Sequence, residues 1–374
     1  MSEITAITMP KWGLTMTEGK VLGWLKAEGD LYRAGDELLE IETTKITNVM
    51  EAGEPGTLRR IVAGEGAVLP IGALLAVAAP ASVPDTEIAA FVSAFVAPEM
   101  AAAEMAEDSA LLPREIDAGG KQLRVLDLGA GDATPVLLLH GFGADLNSWM
   151  FTQPALAERG RAVALDLPGH GGSTKVLDGA DESSFAAVID LALGALGIAR
   201  CHLVGHSMGG GIALAFAAWQ PERVASLTLI ASAQLGPEIN AEFIDGFVKA
   251  QRRREAQEVL TLLMHDPAMI SRAMVEDVLR YKRLDGVAAA LETIAAEWFP
   301  GDIQRVDNAV VAANLAVPVQ LIWGRDDRII PLAHAEALKE KLPVHILEDA
   351  GHLPHMEKSG EVNRLISRFI EAHP

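Results

Sequence analysis

The stretch that decides the fold of most of this chain reads CHLVGHSMGGGIALAFAAW and covers residues 201–219. It begins with a short apolar run typical of a buried strand and ends, over residues 210–219, in an Ala-rich run that favours a helix. Between the two runs, Ser207 is flanked by Gly205 and Gly209, which let neighbouring backbone approach closely. A serine in such a turn stands above the sheet edge, beside the positive end of a helix. We therefore predict that Ser207 is a nucleophile.

Similar apolar runs flank this stretch from about residue 114 onward. They alternate with helical patterns, which predicts a mostly parallel sheet with helices on both faces. Residues 236–305 interrupt the alternation with helical sequence alone, and we expect them to form a cap over Ser207. The runs interpreted as strands are residues 136–139, 162–165, 201–204, 227–230 and 319–323.

A serine nucleophile needs a base and a group that orients the base. Acids suited to that task, Asp326 and Asp327, follow the last clear strand. Histidines suited to act as the base, His352 and His355, follow the apolar run 344–347. The chain order is thus serine, acid, histidine.

Residues 114–374 resemble the α/β-hydrolases throughout. That family places the acid four residues before a proline, here Pro331, and the base directly after a glycine, which selects Asp327 and His352. Asp326 and His355 are then expected to be solvent-exposed or to support the site from behind. The site would thus consist of Ser207, Asp327 and His352.

The oxyanion hole of such a site needs two backbone N–H groups. Met208 supplies one by following the serine, and Phe142 in residues 140–143 (HGFG) matches the family segment that supplies the other. His140 is expected to be a structural member of that loop, and Asp166 to hold loops together. His206, although it adjoins the serine, is expected to point elsewhere.

The N-terminal part contains an internal repeat, because residues 19–38 match residues 56–75 in their glycines and apolar positions. A solenoid needs three or more copies, so two copies predict one domain with internal two-fold symmetry. Lys45 falls between the copies, in a predicted tight turn at one end of a small β-sandwich. From position alone, Lys45 is either an ordinary exposed lysine or one displayed for covalent modification.

Residues 1–80 resemble a lipoyl domain, an all-β barrel-sandwich. The matching features are the turn 42–45 (ETTK), the segment 9–13 (MPKWG) and the spaced glycines. The related biotin carriers place methionine on both sides of the lysine, whereas here Thr44 and Ile46 flank it, which favours lipoate. The resemblance implies that Lys45 becomes N6-lipoyllysine through a lipoate-attaching enzyme.

Residues 81–112 are acidic, contain proline and much alanine, and lack Lys and Arg, which indicates a linker. Within them, residues 88–96 favour a short amphipathic helix. The expected organisation is a multidomain chain: a lipoyl carrier domain (1–80), the linker (81–112) and an α/β-hydrolase domain with a helical cap (113–374).

The composition excludes several classes of function. A formal net charge of −20 argues against nucleic acids and anionic membranes as partners. Cys201 is the only cysteine, which excludes an intramolecular disulfide and a Cys-based zinc cluster, and we expect no metal site. No apolar stretch approaches the roughly 18 to 20 residues of a membrane span, and no secretory signal is evident. These features favour the cytoplasm.

Together, the two regions resemble the acyltransferase subunits of acetoin dehydrogenase complexes. The resemblance implies that an acetyl group moves from lipoyl-Lys45 to coenzyme A. Because a Ser-His-Asp site is suited to attack acyl carbons, we expect Ser207 to be the attacking group. It also implies a thiamine-dependent dehydrogenase component and dihydrolipoamide dehydrogenase as partners. We expect the chain to form a homo-oligomer within that assembly.

Two alternatives stay open. The large domain could hydrolyse esters or carbon–carbon bonds, because residues 323–331 resemble the hydrolases of ring-cleavage products. The chain could also be a lipoyl carrier whose large domain is mainly structural. The His-x-x-x-Asp-Gly motif of the usual 2-oxo-acid dehydrogenase acyltransferases is absent, so their transfer mechanism is not carried over.

Overall fold

The computed structural model describes residues 4–10, 12, 16, 18–43, 47–95 and 112–374. The chain divides at residue 110 into two compact units. Lys45 and residues 96–111 of the predicted linker lie outside the described residues. Within the described ranges, no helix is long and apolar enough to cross a bilayer.

In its described residues, the N-terminal unit forms two four-stranded sheets with the orders β1-β8-β6-β3 and β5-β4-β2-β7. Exchanging the first half of the unit for the second converts one order into the other, which confirms the predicted internal symmetry. Apolar side chains of both sheets share one core, including Val21, Ile41, Leu58 and Leu75. The strands are β1 (Thr5–Thr8), β2 (Glu18–Trp24), β3 (Leu31–Tyr32), β4 (Glu37–Glu42), β5 (Thr47–Glu51), β6 (Gly56–Ile61), β7 (Val68–Pro70) and β8 (Leu74–Ala78).

A helix follows this sandwich, α1 (Asp85–Ala94), three residues earlier than the helix predicted at 88–96. Its Ile88 is buried with Leu74 and Val77 of β8, and Arg59 of β6 bonds Asp85 at 2.7 Å. Burial of an isoleucine side chain contributes about 1.5–3 kcal/mol. The N-terminal unit therefore continues past the predicted boundary at residue 80. The part of the predicted linker that contains α1 packs against this unit.

Within residues 112–374, eight strands form one sheet in the order β16-β15-β14-β13-β11-β12-β10-β9. Strands β11 to β16 pair in parallel, as predicted from the apolar runs. The antiparallel pair β9 and β10, joined at Gly119 and Gly120, extends the sheet at one edge. The strands are β9 (Arg114–Ala118), β10 (Lys121–Leu128), β11 (Val136–Leu139), β12 (Ala162–Leu165), β13 (Cys201–His206), β14 (Val224–Ile230), β15 (Val319–Gly324) and β16 (Val344–Leu347).

Helices connect these strands, and four of them, α5 to α8, form the predicted cap between β14 and β15. An antiparallel bridge between Glu238 and Ile303 closes the base of the cap, close to the predicted limits of 236 and 305. The helices described in this part are α2 (Gln153–Ala157), α3 (Glu182–Ala195), α4 (Met208–Trp219), α5 (Ala241–Lys249), α6 (Arg253–Leu260), α7 (Arg272–Lys282), α8 (Val287–Trp298), α9 (Ala309–Ala313), α10 (Ala333–Glu336), α11 (Pro354–Glu357) and α12 (Ser359–Glu371).

Candidate active site

The predicted site residues lie at the carboxyl ends of the parallel strands, which is where open α/β sheets bind ligands. Phe142 follows β11, Ser207 follows β13, Asp327 follows β15 and His352 follows β16. Because these strands run in the same direction, their four loops emerge at the same edge of the sheet.

Ser207 occupies a strained turn between β13 and α4. Its backbone has φ 52° and ψ −120°, a conformation that non-glycine residues rarely adopt. The turn is held by backbone bonds from Ser207 N to Ile230 O, at 3.0 Å, and from Ala233 N to Ser207 O, at 2.9 Å. The serine is 6% exposed, so it lies beneath a cover rather than on an open surface.

The glycines around Ser207 are required by close packing of backbone. A Cβ at Gly205 would lie 2.4 Å from the carbonyl oxygen of Gly209. A Cβ at Gly209 would lie 2.3 Å from the carbonyl oxygen of Leu139, at the end of β11. These distances are too short for any side chain, so the G-x-S-x-G pattern is a steric condition for the turn.

Asp327 and His352 are joined by a hydrogen bond. The Nδ1 of His352 lies 2.9 Å from Oδ2 of Asp327, and the two side chains are 3% and 0% exposed. The other carboxylate oxygen of Asp327 accepts backbone N–H groups from Ile329, at 2.8 Å, and Ile330, at 3.0 Å. With three donors around it, the buried carboxylate is fixed in place and can hold the imidazole in one orientation.

The acid and base loops meet because β15 and β16 are adjacent parallel strands, with Gly324 opposite Leu347. Beyond the strands, Asp326 N donates to Ala350 O at 2.9 Å. A Cβ at Gly324 would lie 2.0 Å from the carbonyl oxygen of Gly351. The backbone of the acid loop is therefore pressed directly against the loop that carries His352.

Phe142 and Met208 flank Ser207 from two sides. Met208 is the first residue of α4, where backbone N–H groups have no acceptor within the helix. A Cβ at Gly141 would lie 3.1 Å from the Cβ of Ser207, so the loop that continues into Phe142 passes directly beside the serine. The two residues predicted for the oxyanion hole thus lie on the two segments next to Ser207.

Aromatic side chains of the cap cover the loop after β11. The ring of Phe142 lies 5.8 Å from that of Phe247, on α5, and 6.0 Å from that of Phe299, which follows α8. At Gly143, a Cβ would lie 2.2 Å from the ring of Phe247. This apolar cover keeps water away from the loop and strengthens electrostatic interactions beneath it.

His206 packs against His352 and forms a hydrogen bond with its backbone. The sequence did not indicate this contact. Its Nε2 lies 2.8 Å from the carbonyl oxygen of His352 and must donate to it, so Nδ1 carries no proton. Burial holds the pKa of His206 well below its ordinary value. His206 is therefore a neutral donor that supports the backbone of His352.

The two rejected neighbours have different surroundings. His355 is fully buried, packed between Trp149 and His206, and burial lowers its pKa to about 3. Neither of its ring nitrogens has a hydrogen-bond partner within the described part of the chain. Asp326 is partly exposed and bonds His265 of the cap at 2.8 Å. We expected His355 either to be exposed to solvent or to support the site. Solvent exposure is wrong, because His355 is buried.

Asp166 and His140 hold the neighbouring loops, as expected. The Oδ1 of Asp166 accepts the Leu146 N–H at 2.7 Å, and its Oδ2 accepts the Gly172 N–H at 2.6 Å. The Nε2 of His140 accepts the Leu167 N–H at 3.0 Å, so its Nδ1 donates to Gly141 O at 2.8 Å. Burial lowers the pKa of His140, which keeps the ring neutral in this role.

The segment around Lys45 is bounded by two paired strands. Strands β4 and β5 run antiparallel, and Glu42 pairs with Thr47 at their ends. A connection of four residues therefore joins them, as required for the short turn in which a carrier lysine is displayed. Lys45 itself lies outside the described residues.

Comparisons with known proteins cover both units. The family model of the alpha/beta hydrolase fold matches residues 134–359, and the model described as "Biotin-requiring enzyme", for biotin and lipoyl domains, matches residues 5–77. A meta-cleavage product hydrolase from Pseudomonas fluorescens has the same fold, with a TM-score of 0.64 and 23% identity over 70% of this chain and 98% of its own.

Two relatives match from end to end. The dihydrolipoyllysine-residue acetyltransferase component of the acetoin cleaving system from Pseudomonas putida is 44% identical over 373 residues, covering 100% of both chains. The protein of the same name from Cupriavidus necator is 43% identical over 98% of this chain and 97% of its own. The chain therefore belongs to the family of dihydrolipoyllysine-residue acetyltransferase components of acetoin cleaving systems, with a C-terminal unit of the α/β hydrolase fold.

Proposed function

We propose that this chain transfers an acetyl group from the dihydrolipoyl arm on Lys45 to coenzyme A, with Ser207, His352 and Asp327 as its catalytic residues. One observation carries the proposal: the Asp327–His352 hydrogen bond and the strained Ser207 turn share one sheet edge in a chain that also has a lipoyl-type domain. A serine site attacks acyl carbons, and a lipoyl arm presents acyl carbons as thioesters.

The first step is attack of the Ser207 oxygen on the thioester carbonyl. His352 takes the serine proton at Nε2, while Asp327 stabilises the charged imidazole through Nδ1. The N–H groups of Phe142 and Met208 bind the developing oxyanion. The carbon–sulfur bond then breaks, the proton passes to the departing thiol, and the acetyl group remains on Ser207 as an ester.

The second step reverses the first with a different thiol. The coenzyme A sulfur attacks the Ser207 ester, His352 accepts the thiol proton, and Ser207 recovers it as its ester bond breaks. One thioester is consumed and one is formed, so no oxidant or reductant is required. Exchange of one thioester for another gains little free energy, whereas hydrolysis of the Ser207 ester is favourable. The site must therefore exclude water for the transfer to prevail.

The lipoyl group, when attached at Lys45, supplies a mobile thiol that carries the acetyl group. The paired ends of β4 and β5 fit that attachment, since only residues 43–46 connect them and Lys45 is one of these. A separate lipoate-attaching enzyme would modify Lys45.

As a component of an acetoin cleaving system, the chain works with other subunits in a multienzyme complex. The proposed partners are a thiamine-dependent dehydrogenase component, which supplies the acetyl group, and dihydrolipoamide dehydrogenase, which reoxidises the arm. We further propose that the chain is a homo-oligomer within this assembly and acts in the cytoplasm, where a chain with one buried cysteine needs no disulfide.

A second candidate function is hydrolysis, favoured by the likeness of the C-terminal unit to a meta-cleavage product hydrolase. The acceptor separates the two functions. Given S-acetyl-dihydrolipoamide and coenzyme A, the full chain is expected to form acetyl-CoA at a rate that rises with coenzyme A concentration, with little acetate. Acetate release at a rate independent of coenzyme A would identify a hydrolase instead. No product above the uncatalysed rate would favour a carrier with a structural large domain.

A further inference from the structure

One segment of the cap forms hydrogen bonds with both the loop that carries His352 and the loop that carries Asp327. Residues 261–265, which we call the clasp segment, follow α6 and lie against the loop of His352. The backbone N–H of His352 donates to Leu263 O at 2.8 Å. The Glu357 carboxylate accepts the N–H of Gly351 at 2.8 Å through Oε1 and the N–H of His265 at 2.6 Å through Oε2. A single carboxylate thus joins the base loop to the cap.

The clasp segment is also bonded to the loop of Asp327. On one side of Asp327, the Oδ2 of Asp326 lies 2.8 Å from Nδ1 of His265. On the other side, the guanidinium of Arg328 donates to Met264 O at 2.6 Å and to Thr261 O. The residues that adjoin the acid in sequence are therefore the ones that hold the cap.

The backbone of the clasp segment packs closely against the loop that carries His352. A Cβ at Gly351 would lie 2.7 Å from His265 N and 2.8 Å from Leu263 O. Glu357 is half-buried, and burial raises its pKa despite the backbone N–H groups that its carboxylate accepts. Loss of the Oε1 acceptor would leave the N–H of Gly351, a buried residue, without this partner, which is costly.

We propose that Glu357 and Asp326 are positioning residues that lock the cap, through residues 261–265, onto the loops of both His352 and Asp327. The lock keeps the cap closed over Ser207, so that a thiol rather than water removes the acyl group. The inference rests on the proposed function, because it concerns the fate of the Ser207 ester. Attack by coenzyme A gives acetyl-CoA, and attack by water gives acetate, each with return of the proton to Ser207.

The test compares Glu357→Gln and Asp326→Ala with the wild-type full chain, using S-acetyl-dihydrolipoamide and coenzyme A. Glu357→Gln places an N–H₂ group where a carboxylate oxygen accepts an N–H, and Asp326→Ala leaves His265 without its carboxylate. We expect the ratio of acetate to acetyl-CoA to rise about tenfold in Glu357→Gln, the scale of one lost hydrogen bond to a charged group. In Asp326→Ala we expect a rise of about twofold to fivefold, because both side chains of that pair are partly exposed. A purely structural role would lower both products together and leave the ratio unchanged, which would overturn the inference.

Arg325→Gln is the matched control. It breaks an exposed ion pair with Glu348, at 2.6 Å, in the same loop but away from the cap, and should leave the ratio at the wild-type value. If Glu357→Gln fails to fold, Asp326→Ala decides, because that side chain is 45% exposed and tolerates truncation. A wild-type chain that forms no acetyl-CoA would refute the proposed function, whereas an unchanged ratio in an active chain refutes only the lock.

Discussion

Ser207→Ala is expected to lower acetyl transfer to coenzyme A by at least about 10³-fold, because removal of a serine nucleophile in such a site has effects of this size or larger. Alanine removes the attacking oxygen and leaves the cover, the acid and the base in place. The measurement is the steady-state rate of acetyl-CoA formation from S-acetyl-dihydrolipoamide by the full chain.

The folded state should be little affected by this substitution. Ser207 uses its backbone, not its hydroxyl, in the bonds to Ile230 and Ala233 that hold the turn. Alanine keeps the Cβ in the same strained conformation, so circular dichroism and the thermal midpoint should match those of the wild type. Near wild-type transfer by a folded Ser207→Ala chain would mean that coenzyme A attacks the donor thioester directly.

Lys45→Arg is expected to abolish acetoin-dependent acetyl-CoA formation by the reconstituted complex. Arginine keeps the positive charge but offers no ε-amino group that can form an amide with lipoate. Intact mass should show the lipoyl addition on the wild-type chain and none on the variant. The overall reaction of the complex should fall to background.

Free S-acetyl-dihydrolipoamide provides the control for Lys45→Arg, since it delivers the acetyl group without the attached arm. The variant should use that donor at close to the wild-type rate. An equal loss with the free donor would show that Lys45 serves the large domain in some other way. If the Lys45→Arg variant still carries the lipoyl mass, the lipoyl group is attached to another lysine.

The predicted strands were accurate where both faces of the sheet are covered. The apolar runs at 136–139 and 162–165 coincide with β11 and β12, because strands covered on both faces are apolar along their whole length. The antiparallel strands β9 and β10, at one end of the sheet, mix polar with apolar residues and were not identified. A signal was present, since Gly119-Gly120 is a two-residue hairpin turn with positive φ at both positions.

The site was predictable to the extent that its residues lie in short sequence motifs. The serine turn and the loops of Asp327 and His352 occupy one sheet edge, because strand order places them there. The bonds of Glu357, His265 and His206 had no sequence signal. They depend on how the cap folds back on the sheet, and that packing joins residues far apart in the chain.

The boundary of the N-terminal unit was also mispredicted, because it depends on packing contacts that the sequence pattern does not show. The acidic, alanine-rich composition of residues 81–112 indicates a solvated linker, yet Ile88 packs against β8. Ile88 and the partly buried Phe91 and Val92, together with an ion pair between Arg59 and Asp85, dock α1. Composition averaged over a segment does not report such contacts.

Direct detection of the acyl-enzyme tests the central claim, that Ser207 carries the acetyl group between the two thiols. The full chain is mixed with S-acetyl-dihydrolipoamide without coenzyme A, quenched in acid, and its peptides are analysed by mass spectrometry. We predict one acetyl group on the peptide that contains Ser207, lost on addition of coenzyme A as acetyl-CoA forms. An unmodified Ser207 peptide in a chain that still produces acetyl-CoA would contradict the account.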